Sequence, residues 1–231
     1  MNYIIWNEKD SRDVKGLIIC ELPPITKPNM RAKETVIDGV DGSIIEELGY
    51  ESYDKTILIG LTKDADIDKV TEFFTRSGEI VFSNEPDKYY IARVIKNIDY
   101  QRLLRYRVAN VIFRVQPFKY NRVEVTRQAT SDRTSMIVEN LGNHTSKPII
   151  EITGSGTVVL TLNESYICDY TFPEDESSVV LDSEKQDAYL GDTLKNRNMN
   201  GDFPIFQKGN NELSWTGTVS SIKITKYSRW L

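Results

Sequence analysis

Residues that commonly carry catalysis or bind metals are scarce in this 231-residue chain. It contains one histidine, His144, and two cysteines, Cys20 and Cys168, which lie far apart along the sequence. One histidine and two distant cysteines do not supply the ligand set of a structural zinc site, and no spacing supports a catalytic triad built on His144. A disulfide between the cysteines is not expected, which fits a reducing compartment.

Long apolar runs and an excess of basic residues are also missing. No apolar run approaches the ~20 residues that a transmembrane helix needs, and the first residues lack the basic and apolar regions of a signal peptide. The net charge of −5 argues against a nucleic-acid-binding protein, which normally carries a basic face. We therefore expect a soluble cytoplasmic protein with no membrane partner and no specific nucleic-acid partner.

Motifs for phosphate, calcium and sugar chemistry are absent or weak. Gly154-Ser155-Gly156 lies between two predicted strands and is interpreted as a hairpin turn, not as a phosphate-binding loop. Paired acids serve glycoside hydrolysis and calcium binding, and acids cluster here at Asp38 with Asp41, Glu46 with Glu47, and Glu174-Asp175-Glu176. Since none has the spacing of a calcium loop, we predict no catalytic residue, no cofactor and no metal site. The protein is predicted not to be an enzyme.

The sequence does contain clear β-strand patterning, centred on Glu79–Tyr120. Within Tyr106–Gln116, polar residues alternate with apolar residues at Ala109, Val111, Phe113 and Val115. This period of two is typical of a half-buried antiparallel strand. A turn cluster at Ser83–Asp87 separates two further β-rich runs. Because Pro117 has no N–H to offer a ladder, we expect it to end the strand.

One amphipathic helix is predicted in the first half. Apolar residues recur at helical spacing at Ile67, Val70, Phe73 and Phe74. Asp64 or Asp66 can cap the start of this helix, and Gly78 is placed to form a left-handed C-cap.

The composition changes after Tyr120. The polar segment Asn121–Arg133 is interpreted as a linker, and only short strand-like runs follow, with Gly and Asn at the breaks. Such runs suggest a β-sandwich or jelly roll. We predict a mainly β protein with two domains. Residues 1–130 form an α+β domain with one helix on a β-sheet or barrel, and residues 131–231 form an all-β sandwich.

Two tryptophans near the C-terminus are the remaining candidates for a binding site. Trp215 lies in the alternating run Leu213-Ser214-Trp215 and is interpreted first as a core residue, since aromatic side chains dominate core packing. The alternative is that Trp215 or Trp230 forms a platform on which a sugar stacks. Trp230 is also a candidate for docking onto a surface, because a free terminus seldom exposes tryptophan.

Several segments along the whole chain together resemble one protein family. In the first half they are Arg12–Gly16 leading to Leu22–Ile25, Asp38–Gly42 followed by Glu46–Tyr50, Phe82–Tyr90 and Val115–Tyr120. In the second half they are Gly201–Pro204 and Gly209–Gly217. None of these is a catalytic motif. In this order and at this length, the sequence resembles the short form of the distal tail (Dit) proteins of long-tailed, siphovirus-type phages and prophages.

The resemblance implies a structural protein of the virion. The first domain would be a belt unit that forms a hexameric ring, and the second a galectin-like β-sandwich outside the ring that serves mainly as a docking platform. The ring would join the major tail protein of the tube above to the tail-associated hub protein below. DNA would pass through its channel without being bound specifically. Tape measure and receptor-binding proteins are further candidate partners, and the location would be the tail tip, assembled in the bacterial host cytoplasm.

A ring subunit needs arms or exposed strand edges, because its contacts are heterologous and must close by rotation. The proline-marked segment Ile25–Lys33 and the turn-rich segment Asp38–Tyr50 are the candidates. The residues singled out are Pro28, Arg31, Asp38, Asp41 and Tyr50. Our hypothesis is that the arm of one copy adds to a neighbour's sheet by strand addition.

Two alternatives from other classes remain open. One is a sugar-binding module that contacts the host cell wall through Trp215 or Trp230. The H-x-N-x-R pattern of sugar-binding galectins does not surround His144. The other is a glycoside hydrolase, which needs two carboxylates facing each other across a cleft, roughly 5–9.5 Å apart.

Overall fold

The computed structural model describes residues 1–39, 41–75, 77–96, 98, 103, 105–123, 125–225 and 227–231. The fold is mainly β, as predicted. The chain divides into two compact units, one of residues 1–122 with Leu231 and one of residues 123–230. The assignment of residues 1–130 to a ring-forming domain and of 131–231 to a galectin-like sandwich stays a prediction. No helix in the described part of the chain is long and apolar enough to cross a membrane.

The first unit is built on one antiparallel sheet. Its strands are β1 (Ile4–Trp6), β2 (Lys9–Asp10), β3 (Leu17–Glu21), β4 (Met30–Val36), β5 (Ser43–Tyr50), β6 (Tyr53–Leu61), β7 (Ser77–Phe82), β8 (Lys88–Val94) and β9 (Val108–Asn121), and a 3-10 turn spans Ser11–Asp13. The sheet order is β2-β1-β7-β8-β9-β6-β3, while β4 and β5 form a separate two-stranded ribbon.

Strand β9 confirms the alternating pattern and corrects its predicted end. The four apolar residues of the pattern, Ala109, Val111, Phe113 and Val115, are all buried. The strand nevertheless continues through Pro117 to Asn121. The register of β8 against β9 shifts between Tyr90 and Ala92, and the pairing of β6 with β9 reaches no further than Val115. Pro117 therefore lies at an irregularity of the ladder, where proline is tolerated.

Helix α1 spans Ile67–Phe73 and covers the sheet with its buried residues Val70 and Phe73. Asp66 caps it as predicted, because its side chain accepts hydrogen bonds from the backbone N–H groups of Asp68 and Lys69. The predicted C-cap at Gly78 is wrong. The helix ends before Phe74, and Gly78 lies in β7, where a Cβ atom would come within 1.7 Å of the Asn7 Oδ1 atom.

The second unit is an all-β structure. Its strands are β10 (Arg127–Thr130), β11 (Ser135–Asn140), β12 (Ile149–Leu162), β13 (Ser165–Thr171), β14 (Ser178–Asp182), β15 (Asp187–Leu190), β16 (Thr193–Leu194), β17 (Met199–Gly201), β18 (Gly209–Thr225) and β19 (Arg229–Trp230), with a 3-10 turn at Asn196–Asn198. Because β10 pairs with β18, the segment interpreted as a linker contributes a strand to this unit.

Two long strands, β12 and β18, bend so that each pairs with different partners in its two halves. The first half of β12 pairs with β14 and its second half with β13. The bend lies where Gly154 and Gly217 approach the other strand: a Cβ on either would come within 2.3 Å of a carbonyl oxygen of that strand. The prediction that Gly154-Ser155-Gly156 forms a hairpin turn is therefore wrong. These residues form a bend within one strand.

Candidate assembly surface

The β4–β5 ribbon is the most exposed element of the first unit. All seven residues of β4 are exposed, and in β5 only the terminal residues Ser43 and Tyr50 are partly buried. Its apolar side chains stand in solvent: Val36 is 71% exposed, Ile44 60% and Ile45 63%. Strands of this length extend roughly 3.3 Å per residue, or about 23 Å for β4. The ribbon therefore presents apolar side chains to solvent along most of its length.

The ribbon holds itself together by its own ladder and a few polar contacts. Glu34 lies opposite Ile45, and Lys33 lies opposite Glu46. The hydroxyl of Ser43 donates to Glu34 Oε1 at 2.5 Å. Within the described residues, neither strand pairs with any strand outside the ribbon. Both outer edges of the ribbon therefore lack a neighbouring strand among the described residues, which is the arrangement that strand addition uses.

Apolar side chains on an isolated hairpin need a further partner to be stable. A two-stranded hairpin alone is marginally stable in water, and clustered exposed apolar groups mark interaction surfaces. Among the described residues from 30 to 48, the large exposed hydrophobic ones are Met30, Val36, Ile37, Ile44, Ile45 and Leu48. The ribbon therefore has the clustered, exposed apolar side chains that are typical of a surface that binds a partner.

The root of the ribbon, residues 22–29, joins β3 to β4. Its two buried residues, Pro23 and Pro28, have no N–H group, so this segment makes a poor strand. Side chains bind its carbonyl groups instead: Lys55 Nζ donates to the Pro24 oxygen at 2.9 Å and Asn84 Nδ2 to the Pro23 oxygen at 2.9 Å. The Tyr53 hydroxyl donates to the oxygen of Thr26 at 3.3 Å.

The lysine that binds the root is buried. Lys55 is only 2% exposed, and its Nζ atom lies 5.0 Å from the ring centroid of Tyr90 and 5.8 Å from that of Phe82. Burial lowers the pKa of Lys55 to about 8, although the nearby Glu85 opposes the shift. The same burial, with Glu85, raises the pKa of Tyr53 to about 12.

A second lysine neutralises the acid of this cluster. Lys119 Nζ donates to Glu85 Oε1 at 2.5 Å, and the Tyr90 hydroxyl donates to Glu85 Oε2 at 2.5 Å. Both side chains of the ion pair are 11% exposed. Burial and then the bond to Glu85 raise the pKa of Tyr90 above its ordinary range. The aromatic and charged groups behind the root are therefore bonded to one another.

The predicted arm residues fall in four different places, one of which, at Pro28, is the root. Arg31 lies on β4, where its Nη2 donates to the Leu48 oxygen at 3.1 Å. Asp38 and Asp41 lie exposed at the tip, on either side of Val40, which lies outside the described residues. Tyr50, at the end of β5, packs edge-on against the Phe118 ring at 5.9 Å between centroids.

Pro28 was predicted to reach towards a neighbouring subunit, and in this fold its side chain is buried at the root. Proline suits that place because the root offers no ladder that would need its N–H. The sequence reasoning did not single out Val36, Ile44 and Ile45. Their signal was weak because a strand exposed on both faces has no polar side to contrast with an apolar one.

Trp215 does not offer a face for sugar stacking. It is 4% exposed and belongs to the hydrophobic core of the second unit, as the first interpretation held. A groove of about 640 Å³ passes its edge; its other lining residues include Ser131, Arg133, Thr134, Ser135, Thr161, Glu212 and Ser214. The hydroxyl oxygens of Thr161 and Ser214 are 2.5 Å apart. Trp230 is partly buried.

The remaining sequence candidates form no recognisable site. His144 is partly buried, and its Nδ1 lies 3.1 Å from the hydroxyl of the adjacent Thr145. Asp38 and Asp41 lie at the ribbon tip and Glu46 with Glu47 on β5, all exposed. In the part of the chain that the structure describes, no three His, Cys, Asp or Glu residues come close enough to hold a metal ion.

Comparison with solved structures accounts for the whole chain. The Dit protein of phage SPP1, described as a paradigm of the hub adsorption apparatus in phages that infect Gram-positive bacteria, matches with a TM-score of 0.71 and 17% identity over 100% of both chains. The chain has the distal tail protein fold. Two structures of the phage P2 baseplate in its activated conformation also match this chain, over 98% and 97% of its length, with TM-scores of 0.52 and 0.50 at 7% identity.

The likeness to distal tail proteins lies in the fold and not in a close sequence relationship. No protein-family model matches the chain, and no curated protein sequence matches it. The SPP1 Dit match covers 100% of this chain, so the distal tail protein fold includes both compact units. The family resemblance inferred from the sequence is confirmed at the level of structure.

Proposed function

We propose that this protein is a structural component of a phage tail tip, where six copies form a ring at the distal end of the tail tube. The ring joins the major tail protein above to the tail-associated hub protein below and leaves a channel through which DNA passes. The sandwich of the second unit is a docking platform, and the protein is not an enzyme. Its location is the virion, after assembly in the host cytoplasm.

The observation that carries this proposal is the full-length match to the SPP1 Dit protein together with the exposed ribbon. A ring of identical copies uses one heterologous contact repeated around an axis. Such a contact needs one surface that reaches out and another that receives it. The ribbon supplies the first, with unpaired edges and apolar side chains such as Ile44 and Ile45. In the proposal it adds to the sheet of the neighbouring copy by strand addition.

The mass of the purified protein in solution tests the ring. We expect a hexamer, or a monomer–hexamer equilibrium, by light scattering after size exclusion over a concentration series. In a variant in which Asn-Gly replaces Ala32–Glu47, the shortened hairpin can close as a type I′ turn. This variant should remain folded and monomeric at every concentration.

A matched control separates loss of the interface from a general effect of charge. Ile45→Lys places a charge on the ribbon and should weaken association, whereas Ile137→Lys places it on an equally exposed position of β11, at 65% exposure, and should not. Unchanged hexamers in the shortened variant would exclude the ribbon as the ring contact. A strict monomer in both wild-type and variant would move the test to co-assembly with the major tail protein.

A carbohydrate-binding module remains the second candidate, favoured only by the hydroxyl-lined groove of the second unit. Arg133 and Glu212 give this groove one cation and one acid beside its hydroxyl groups, a set that suits sugar hydrogen bonding. Arrays of host cell-wall glycans provide the test. Binding that Arg133→Ala abolishes without unfolding the protein would favour this candidate, and absence of binding together with a hexamer would exclude it.

A further inference from the structure

The direction in which the ribbon leaves the sheet depends on a segment that has almost no ladder of its own. Between β3 and β4, the carbonyl groups of Pro23 and Pro24 are bound by the side chains of Asn84 and Lys55. At the far end of the segment, the Glu51 N–H donates to the Asn29 oxygen at 3.0 Å. The ribbon is therefore attached to the unit through a few bonds at this segment, which include the bond from Asn29 Nδ2 to Glu51 Oε1 at 2.8 Å at the exposed end and the bond from the buried cation Lys55.

Lys55 is out of place for a surface lysine. It lies on β6 in the inward register of Ile57 and Ile59, which are fully buried. Its neighbour Glu85 is already bonded by Lys119 and Tyr90, and the bond recorded for Lys55 is the one to the carbonyl of Pro24. A buried ammonium is costly unless it is paired. The position therefore calls for an explanation other than stability.

We propose that Lys55 is a positioning residue for the ribbon, whose buried ammonium binds the Pro24 carbonyl and so fixes the angle at which β4 and β5 leave the sheet. The use of that angle in ring closure rests on the proposed function. The clamp itself is a property of the single chain. Hydrogen bonds from a charged donor are roughly twice as strong as neutral ones, and cation–π attraction to the surrounding rings also needs the charge.

The charge on Lys55 depends on the groups that face it. These are Glu85 from the β7–β8 turn, Lys119 from β9, and the hydroxyls of Tyr53 and Tyr90 from β6 and β8. Because the pKa of Lys55 is lowered to about 8, the ammonium is lost at a pH where both tyrosines, whose pKa values are raised, stay neutral. Raising the pH through about 8 should therefore loosen the root, because Lys55 then no longer donates as a cation.

Distance measurement between two spin labels tests this directly. Cys20 is exposed and Cys168 is buried, so a label attaches to Cys20 at the end of β3, and a second to Cys introduced by Asp41→Cys at the ribbon tip. Labelled chains are diluted with unlabelled ones at a concentration where light scattering gives monomers. We expect a narrow distance distribution at pH 7 that becomes at least twofold wider at pH 9.5.

The variant Lys55→Met should give the wide distribution at both pH values, since methionine fills the site without a charge. Lys15→Met, which removes a surface lysine paired with Asp64 at 3.5 Å, should behave as wild type. Asn84→Ala is a second variant, with exposed side chain, that removes the Pro23 contact. It should widen the distribution at pH 7 and retain the response to pH.

Thermal unfolding of each variant confirms that the sheet is intact. A Lys55→Met distribution as narrow as wild type, or a wild-type distribution that does not change between pH 7 and pH 9.5, would overturn the inference. The result is independent of ring formation: wide distributions in a protein that never forms hexamers leave the clamp established and the ring rejected. Hexamers with an unaltered ribbon in Lys55→Met leave the ring standing and reject the clamp.

Discussion

The segment from β3 to β6 contains two antiparallel strand pairs, which differ in burial. The inner pair is β3 with β6, and the outer pair is the ribbon of β4 with β5. In the inner pair, β6 buries Ile57, Ile59 and Leu61 against the aromatic core. In the outer pair, the ribbon exposes residues of the same type, including Ile44 and Ile45. Only the short root and residues 51–52 separate the two.

The difference in burial between β6 and the ribbon shows that apolar residues with high β-propensity can form a strand without determining which surface packs against it. Burial of an apolar side chain contributes about 1.5–3 kcal/mol, which β6 receives within its own chain and the ribbon does not. The ribbon residues thus contribute little to the stability of the isolated chain. In the proposed ring, burial of these side chains against a neighbouring copy would stabilise the association instead. Substitutions in the two pairs should separate folding from assembly.

The largest contrast is expected between a core aromatic and a ribbon aliphatic residue. Phe113 is fully buried, with ring centroids of Trp6 and Phe82 at 5.3 and 6.3 Å, so Phe113→Ala should lower the free energy of unfolding by about 3–5 kcal/mol. Ile45→Ala should change it by less than about 0.5 kcal/mol. Urea unfolding of the monomer measures both. A large loss with Ile45→Ala would mean that the ribbon packs on its own chain.

A smaller contrast concerns ion pairs. Glu85→Gln leaves Lys119 without its acid in a site where both side chains are 11% exposed, and should cost about 2–3 kcal/mol of unfolding free energy. The surface pair of Lys9 and Glu72 is 65% and 71% exposed. Glu72→Gln should therefore cost no more than about 1 kcal/mol. Equal losses, measured by chemical denaturation at pH 7, would contradict the buried character of the cluster.

The pH dependence of stability gives the third contrast. The pKa of Lys55 falls from its ordinary value of 10.5 to about 8 in the folded chain, so between these values the unfolded chain binds more protons than the folded one. Stability therefore rises with pH in this window through Lys55. Relative to Lys55→Met, wild type should gain about 2 kcal/mol between pH 7.5 and pH 10, because one pKa unit corresponds to about 1.4 kcal/mol.

Lys55 deprotonation has opposite effects on the stability of the fold and on the fixing of the ribbon angle. Deprotonation removes a buried charge and so stabilises the sheet, while it weakens the bond that orients the ribbon. Urea unfolding of wild type and Lys55→Met at the two pH values measures the gain, and Lys15→Met supplies the control. A difference between wild type and Lys55→Met that stays constant with pH would mean that Lys55 keeps its ordinary pKa.

Local signals were predicted well because they depend on nearby residues. The alternation in β9 and the Asp66 cap need only the chain beside them. The fate of Pro117 and Gly154 depended on a neighbouring strand: a bulge accommodates the proline, and the close approach of Thr218 requires the glycine. The segments Ile25–Lys33 and Asp38–Tyr50 were singled out as arms from what a ring subunit needs, whereas the local pattern did not predict that β4 and β5 pair with each other apart from the sheet, since strands exposed on both faces show no alternation. Lys55 occupies the same alternating positions as Ile57 and Ile59, but its bond to Pro24 arises from tertiary structure, which no local pattern predicts.

The exposed ribbon also limits how long a newly made chain can remain free without associating wrongly. A newly made chain presents unpaired strand edges and isoleucines before any partner arrives, and such edges pair with whatever edge they meet first. If the ribbon forms the ring contact, as proposed, pairing of the ribbons of two free chains would occupy both and would not lead to a closed ring. The productive contact must therefore form faster than ribbon-to-ribbon pairing. A low concentration of free chains favours this, because pairing between two free chains depends on their concentration. Slow expression in the presence of its assembly partners should recover more functional protein than rapid expression of the chain alone.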